Sequence, residues 1–240
     1  MTRDRLVVAT ILGLALLGCD RIPGKPNAAD RVPLASEVTA FALLYKGSCA
    51  ACHGADGRLG ASLALNDPVY LALVPRDRLR KVIADGVAGT LQPAFGMSAG
   101  GTLTDAQVDA LVTGLVSTWG KGGTVKTSEL PSYAASPGEA GRGQGVYTAA
   151  CAGCHGPEGK GGPKGGSVVD ASFLALASDQ YLRTVVITGR TDLGMPDWRG
   201  YTPGRPLTAQ QVSDVVAWLI AQRRPVPGRP EPAPIRAKEG

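Results

Sequence analysis

The chain has 240 residues, of which 19% are charged, and a formal net charge of +5. This mild charge comes without a long run of Lys or Arg, which argues against nucleic acid as a partner. Its length exceeds the usual size of one domain and predicts two domains of about 100 residues each. Aromatic residues make up only 5% of the chain and glycines number 33. We therefore expect a small side-chain core that a bound prosthetic group completes.

The first 19 residues are typical of an export signal. An apolar run from Leu6 to Leu17 is too short to span a bilayer, since spanning takes about 20 residues. The sequence "LLGC", ending at Cys19, resembles the lipobox of bacterial lipoproteins, in which the cysteine becomes the lipidated first residue. Asp20 resembles a signal that keeps such lipoproteins on the inner membrane. We expect a lipid anchor on Cys19 at the periplasmic face of that membrane; an ordinary signal peptide with an incidental cysteine is the alternative.

Most of the remaining chain is a tandem duplication. Tyr45 precedes Cys49 by four residues, and Tyr147 precedes Cys151 by the same interval. Further on, "DPVYLALVPRDRLRKVIADG" aligns with "DASFLALASDQYLRTVVITG" at an offset of 103 residues. Such self-similarity indicates two copies of one structural unit. The predicted parts are a signal peptide at 1–19, a flexible tether at 20–34, a first domain at 35–120, a linker at 121–138, a second domain at 139–224 and a Pro-rich tail at 225–240.

Both copies show a helical pattern and no alternating strand pattern, which predicts an all-α fold. The last helix of each copy should begin after Thr104 or Thr208, because each is a good N-cap residue with a glutamine at the third helical position, as in a capping box. These helices carry an apolar stripe, Val108, Leu111, Val112 and Leu115 or Val212, Val215, Val216 and Leu219. The other predicted helices are Glu37–Lys46 and Asp77–Ala84 in the first copy, and Ala140–Thr148 and Asp179–Thr188 in the second.

Each copy contains one Cys-x-x-Cys-His motif, "CAACH" from Cys49 to His53 and "CAGCH" from Cys151 to His155. This is the attachment signature of c-type haem, in which two thiols bond the porphyrin vinyl groups and the histidine faces the iron. A zinc site, a thioredoxin-like redox pair and a pair of disulfides are the alternatives. We expect two covalently attached haem c groups. The porphyrin-binding candidates are Cys49, Cys52, Cys151 and Cys154, and the iron-binding candidates are His53 and His155.

Each copy resembles a class I cytochrome c domain, and the whole chain resembles a tandem diheme cytochrome c. The resemblance rests on the two motifs, on the order of the helices and on "LGMPDWRG", which is similar to the Met-Pro loop of that family. It implies that Met195 binds the second iron. It also implies a protein that passes single electrons between a respiratory membrane complex and another redox carrier or oxidase.

The sixth ligand of the first iron has three candidates. Both histidines of the protein lie in the motifs, and besides the initiator residue the chain has two methionines, Met97 and Met195. Met195 follows His155 by 40 residues, whereas Met97 follows His53 by 44 and Gln92 follows it by 39. The alternatives are therefore Met97 through a rearranged loop, the amide oxygen of Gln92, or an open site.

Two other functions compete with electron carriage. An open first haem would suit an enzyme that acts on a sulfur or nitrogen oxyanion or on a peroxide, with the second haem as electron feeder. No acid–base set of side chains accompanies that possibility, since the chain has no third histidine. A sensor or assembly subunit is the other alternative, and the basic Pro-rich tail is the feature that favours it.

Overall fold

The computed structural model describes residues 24 and 27, residues 30–120 and residues 125–225. Cys19, the predicted signal peptide and the tail beyond residue 225 lie outside this part of the chain. Contacts divide the chain into two units, 1–37 and 38–240. In the described part of the first unit, a 3-10 turn covers Ala35–Glu37, and Arg31 forms an ion pair with Glu37 at 2.9 Å.

The second unit is all-α in its described residues, which contain isolated β-bridges but no strand. Five helices of the first repeat are followed by five of the second in the same order, which confirms the predicted tandem all-α architecture. None of the helices described is long and apolar enough to cross a membrane. In chain order they are α1 Phe41–Ser48, α2 Ala50–His53, α3 Pro68–Leu73, α4 Arg76–Asp85, α5 Asp105–Trp119, α6 Ala140–Ala150, α7 Ala152–His155, α8 Ala171–Leu176, α9 Asp179–Thr188 and α10 Ala209–Ala221.

The last helix of each repeat begins at a capping box, as predicted. Gln107 donates its backbone N–H to Thr104 Oγ1 at 3.3 Å, and its Oε1 accepts the Thr104 N–H at 3.0 Å. Gln211 and Thr208 make the same exchange at 3.2 and 2.9 Å. At the start of each helix, two backbone N–H groups that have no partner within the helix are thus hydrogen-bonded. These bonds fix where α5 and α10 begin.

The predicted start of the first helix is wrong. The sequence indicated a helix from Glu37, but α1 begins at Phe41, and Ala40 is extended with φ −65° and ψ 115°. The side-chain amide of Gln107 donates to the Val38 carbonyl at 2.9 Å. The Val38 carbonyl therefore accepts a hydrogen bond from a side chain of α5, and not from a backbone N–H of a helix that would begin at Glu37.

The apolar stripes of α5 and α10 form the centre of the two hydrophobic clusters, as predicted. Val108 and Leu111 are fully buried, and so is Val212. Each repeat has its own cluster, but Val69 and Leu73 of α3 pack into the cluster of the second repeat. Helix α3 therefore joins the two repeats through apolar contact.

A glycine lies in close contact between the first and last helices of each repeat, but on opposite helices in the two copies. In the first repeat, Phe41 of α1 faces Gly114 of α5, where a Cβ would lie 2.2 Å from the phenyl ring. In the second, Gly143 of α6 faces the backbone of α10 near Trp218, and its Cβ would lie 1.9 Å from the Asp214 carbonyl oxygen. Each contact thus requires glycine, opposite a phenyl ring in the first repeat and opposite helix backbone in the second.

A buried aspartate fixes the start of α6. Asp214 of α10 accepts the Glu139 N–H at 2.8 Å, two guanidinium donors of Arg142 at 2.8 and 2.9 Å, and the Gln210 amide at 2.9 Å. Arg142, more than the other donors, lowers the pKa of Asp214 to about 2 from the usual 3.8. Because the folded pKa is depressed, this carboxylate stabilises the fold above about pH 4, and the stabilisation is lost as the pH falls towards 2.

The linker is held against the second repeat by a buried arginine. Arg183 of α9 is only 1% exposed and donates to the Ser132 carbonyl at 2.7 and 3.0 Å and to Ser213 Oγ at 3.1 Å. Burial lowers the pKa of its guanidinium. Gln180 adds a hydrogen bond to the Tyr133 carbonyl at 3.1 Å. The backbone of residues 132–133 is therefore anchored on α9.

Candidate functional site

Each Cys-x-x-Cys-His motif lies at a break between two helices. Cys49 separates α1 from α2 with φ −120° and ψ −36°, and Cys151 separates α6 from α7 with φ −118° and ψ −33°. The second cysteine and the histidine of each motif follow within one further helical turn. The duplicated sequence thus folds into the same backbone geometry in both repeats.

Both histidines are held in the same orientation by backbone carbonyls. His53 Nδ1 lies 2.8 Å from the Leu63 oxygen, and His155 Nδ1 lies 2.8 Å from the Gly166 oxygen. A carbonyl only accepts, so Nδ1 carries the proton and the Nε2 lone pair is left available. Burial lowers the pKa of His53 and favours its neutral form. A neutral imidazole fixed through its other nitrogen is the usual state of a metal-binding histidine. The sequence did not predict these partners, because any residue type supplies a backbone carbonyl.

A tyrosine supports the turn after each histidine. Tyr45 Oη donates to the Gly54 carbonyl at 2.8 Å, and Tyr147 Oη donates to the Gly156 carbonyl at 2.6 Å. The glycines have φ values of +83° and +81°, a region that disfavours residues with a Cβ. The Tyr45 ring also packs edge-on against Trp119, at 5.0 Å between centroids. The turn is thereby fixed relative to the last helix.

The thiols fit attachment to a porphyrin better than the alternatives raised by the sequence. The four motif cysteines are free thiols, so no disulfide joins them. Burial, followed by the neighbouring thiol, raises the pKa of Cys49 and Cys151 to about 11. An activated thioredoxin-type cysteine has a pKa near 7. A tetrahedral zinc site takes four protein donors, and the described residues bring together no group of three or more His, Cys, Asp or Glu side chains that could hold a metal ion.

The loops before the last helices place Met195 and Gln92 at equivalent positions. The Arg190 N–H donates to the Met195 carbonyl at 3.1 Å, and the Val87 N–H donates to the Gln92 carbonyl at 3.0 Å. Both loops therefore close over the same six-residue interval. The side chains of Met195 and Gln92 are both half-buried.

Met97 lies elsewhere in the first repeat. It begins a 3-10 turn, Met97–Ala99, which follows the closed loop, and its side chain is 63% exposed. Its backbone N–H donates to the Leu103 carbonyl at 2.9 Å, close to the start of α5. The structure thus brings Gln92, and not Met97, to the position that corresponds to Met195.

The loop that carries Met195 contacts the loop that follows His53, and the sequence did not predict this contact. The Arg190 guanidinium donates to the Gly60 carbonyl at 2.9 Å and forms an ion pair with Asp192 at 2.9 Å. Asp192 in turn accepts the Leu59 N–H at 2.8 Å. The Asp192 side chain is only 2% exposed and that of Arg190 11%. The two members of a buried ion pair in the second repeat therefore join it to the first repeat through hydrogen bonds with the backbone of residues 59 and 60.

Each repeat supplies two thiols and an imidazole whose Nδ1 is held by a backbone carbonyl, which are the donors that a covalently attached c-type haem requires. Together with the all-α tandem fold, they define a c-type cytochrome, an electron-transfer protein.

The chain belongs to the family described as cytochrome c oxidase, cbb3-type, subunit III, whose sequence profile matches residues 36–113 and again residues 138–219. Membership implies covalently bound haem c. None of the curated proteins matches the sequence. Among solved structures, the chain is similar to one from the reducing HAO-like protein complex of Kuenenia stuttgartiensis. The two share 18% sequence identity with a TM-score of 0.47, over 80% of this chain and 100% of that one.

Proposed function

We propose that the protein is a diheme cytochrome c that carries single electrons between a respiratory membrane complex and another redox carrier or oxidase. The observation that carries the proposal is the duplication of one donor set, with the rings of His53 and His155 both oriented by a backbone carbonyl at Nδ1. The match of the family profile to both repeats supports one haem in each. The family's name refers to a subunit of an oxidase, which supports a respiratory partner.

Cysteines would attach each porphyrin, and histidine and methionine side chains would bind the irons. Cys49 and Cys52 would bond the first porphyrin, and Cys151 and Cys154 the second. His53 and His155 would bind the irons through Nε2, and Met195 would supply a further ligand to the second iron. When bound, each haem supplies reversible one-electron chemistry between ferric and ferrous iron, with no bond made or broken in the substrate. An electron donor is oxidised by one electron and the acceptor is reduced by the same electron.

The proposal includes a location at the periplasmic face of the inner membrane through a lipid on Cys19. The "LLGC" sequence supports it, and Cys19 lies outside the described residues. Intact mass tests the anchor, because lipidation leaves a chain that begins at residue 19 and carries acyl groups. An unmodified N-terminus after cleavage would contradict it.

Protein-film voltammetry of the full-length holoprotein separates an electron carrier from an enzyme. We expect two reversible one-electron waves whose currents stay unchanged when nitrite, sulfite or hydrogen peroxide is added. The physical reason is that the chain offers no free histidine for acid–base chemistry at either site. A sustained catalytic current with any of these compounds would contradict the proposed function and favour an oxidoreductase acting at the first haem.

A further inference from the structure

We propose that Gln92, and not Met97, is the side chain that the first repeat presents to its iron opposite His53, so that the two haem sites differ in their sixth ligand. This inference rests on the proposed function, since it takes one haem in each repeat. It goes beyond that function because it makes the two irons chemically unequal.

The loop that contains Gln92 has the same register as the loop that contains Met195. The six-residue loop closed by Val87 and Gln92 corresponds to the loop closed by Arg190 and Met195, through hydrogen bonds of 3.0 and 3.1 Å. The glycine before each loop confirms the equivalence. A Cβ on Gly86 would lie 2.8 Å from the Gln92 carbonyl oxygen, and one on Gly189 would lie 2.6 Å from the Met195 carbonyl oxygen. A proline follows at the next position in both repeats.

The backbone around Met97 is fixed on both sides. Phe95 and Gly96 donate to the carbonyls of Ile83 and Ala84 in α4, at 3.0 and 2.9 Å. Leu103 donates to Phe95 at 2.7 Å and accepts from Met97 at 2.9 Å. Moving Met97 five residues back along the loop would break these four hydrogen bonds. Its exposed side chain therefore belongs to a turn beyond the ligand loop.

The Gln92 side chain has an oxygen that can bind a metal ion. Its amide makes one long hydrogen bond, from Nε2 to the Pro93 carbonyl at 3.4 Å. Within the described part of the chain, no donor engages its Oε1, so this oxygen is free to act as a ligand. An amide oxygen is a harder donor than a thioether and favours ferric iron, whereas methionine favours ferrous iron. The first haem should therefore have a lower reduction potential than the second. In a protein that holds one electron, that electron should reside on the second haem.

The absorption band that arises from sulfur bound to ferric iron tests the assignment. Its intensity is measured on oxidised full-length holoprotein and divided by the number of haem groups. The exposed Met97→Ala is expected to leave the band unchanged. The exchange Met195→Gln, which gives the second loop the residue of the first, is expected to remove it. The reciprocal exchange Gln92→Met is expected to increase it about twofold, because both sites then carry sulfur.

Loss of half of the band in Met97→Ala would overturn the assignment, since it would show that Met97 is a ligand. A band of unchanged intensity in Gln92→Met would also overturn it, because residue 92 would then not face the iron. A haem count of one in the unaltered protein would overturn the diheme function itself. Failure of the ligand assignment is therefore distinguishable from failure of the proposed function.

Discussion

Replacing Gly143 with alanine is expected to destabilise the second repeat by about 3 kcal/mol, the upper end of what overpacking a well-packed core usually costs. The new Cβ would lie 1.9 Å from the Asp214 carbonyl oxygen and 2.8 Å from the Trp218 Cβ, so backbone of α10 would have to move. The displaced helix carries the Trp218 ring, which stacks on Tyr147 at 4.2 Å. Urea unfolding of the holoprotein, followed by circular dichroism, measures the change.

Gly145→Ala is the matched control for this substitution. Gly145 lies in the same helix, and a Cβ there would meet no atom within 4 Å. Alanine at such a helical position is expected to stabilise the protein by about 0.5–1 kcal/mol through its helix propensity. Equal stability of the Gly143→Ala and Gly145→Ala variants would show that α6 and α10 are not in the close contact described.

Asp192→Ala is expected to lower the free energy of unfolding by about 3 kcal/mol. This is the lower end of the range measured when one partner of a buried ion pair is removed. The substitution leaves the Arg190 guanidinium, which is 11% exposed, without its carboxylate. It also removes the acceptor of the Leu59 N–H, at a residue whose φ of +60° is costly for leucine. Urea unfolding should therefore show a lower midpoint.

Asp85→Ala provides the control for Asp192→Ala. Asp85 pairs with Lys81 on the exposed face of α4, where both side chains are largely solvated. An exposed pair of this kind contributes about 0.3–0.5 kcal/mol. A loss of stability in Asp192→Ala no larger than that in Asp85→Ala would contradict a structural role for the buried contact.

The features that the sequence predicted correctly are those with a local signal. The capping boxes at Thr104 and Thr208 confirm the predicted helix starts, and α9 covers the predicted Asp179–Thr188. Two short helices, α3 and α8, were not predicted because six residues are too few for a helical period to be recognised. An aspartate before each of these helices could have indicated its start. Asp67 and Asp170 are N-cap residues whose side chains accept hydrogen bonds from backbone N–H groups.

The features that the sequence could not predict depend on distant partners. Arg190 and Gly60 are 130 residues apart, and nothing near either indicates their contact. The carbonyls that orient His53 and His155 are backbone groups, which any residue type supplies. Spacing did identify Gln92 as a candidate for the sixth position, but it left Met97 open. The choice between the two depends on hydrogen bonds to α4 that no local pattern encodes.

The central claim is that each repeat holds one covalently attached haem. Intact mass spectrometry of the denatured full-length protein tests it most directly, beside the double variants Cys49→Ala/Cys52→Ala and Cys151→Ala/Cys154→Ala. We expect the mass of two haem groups on the unaltered chain and of one on each double variant. A chain that carries fewer than two haem groups, or a double variant that keeps both, would contradict it.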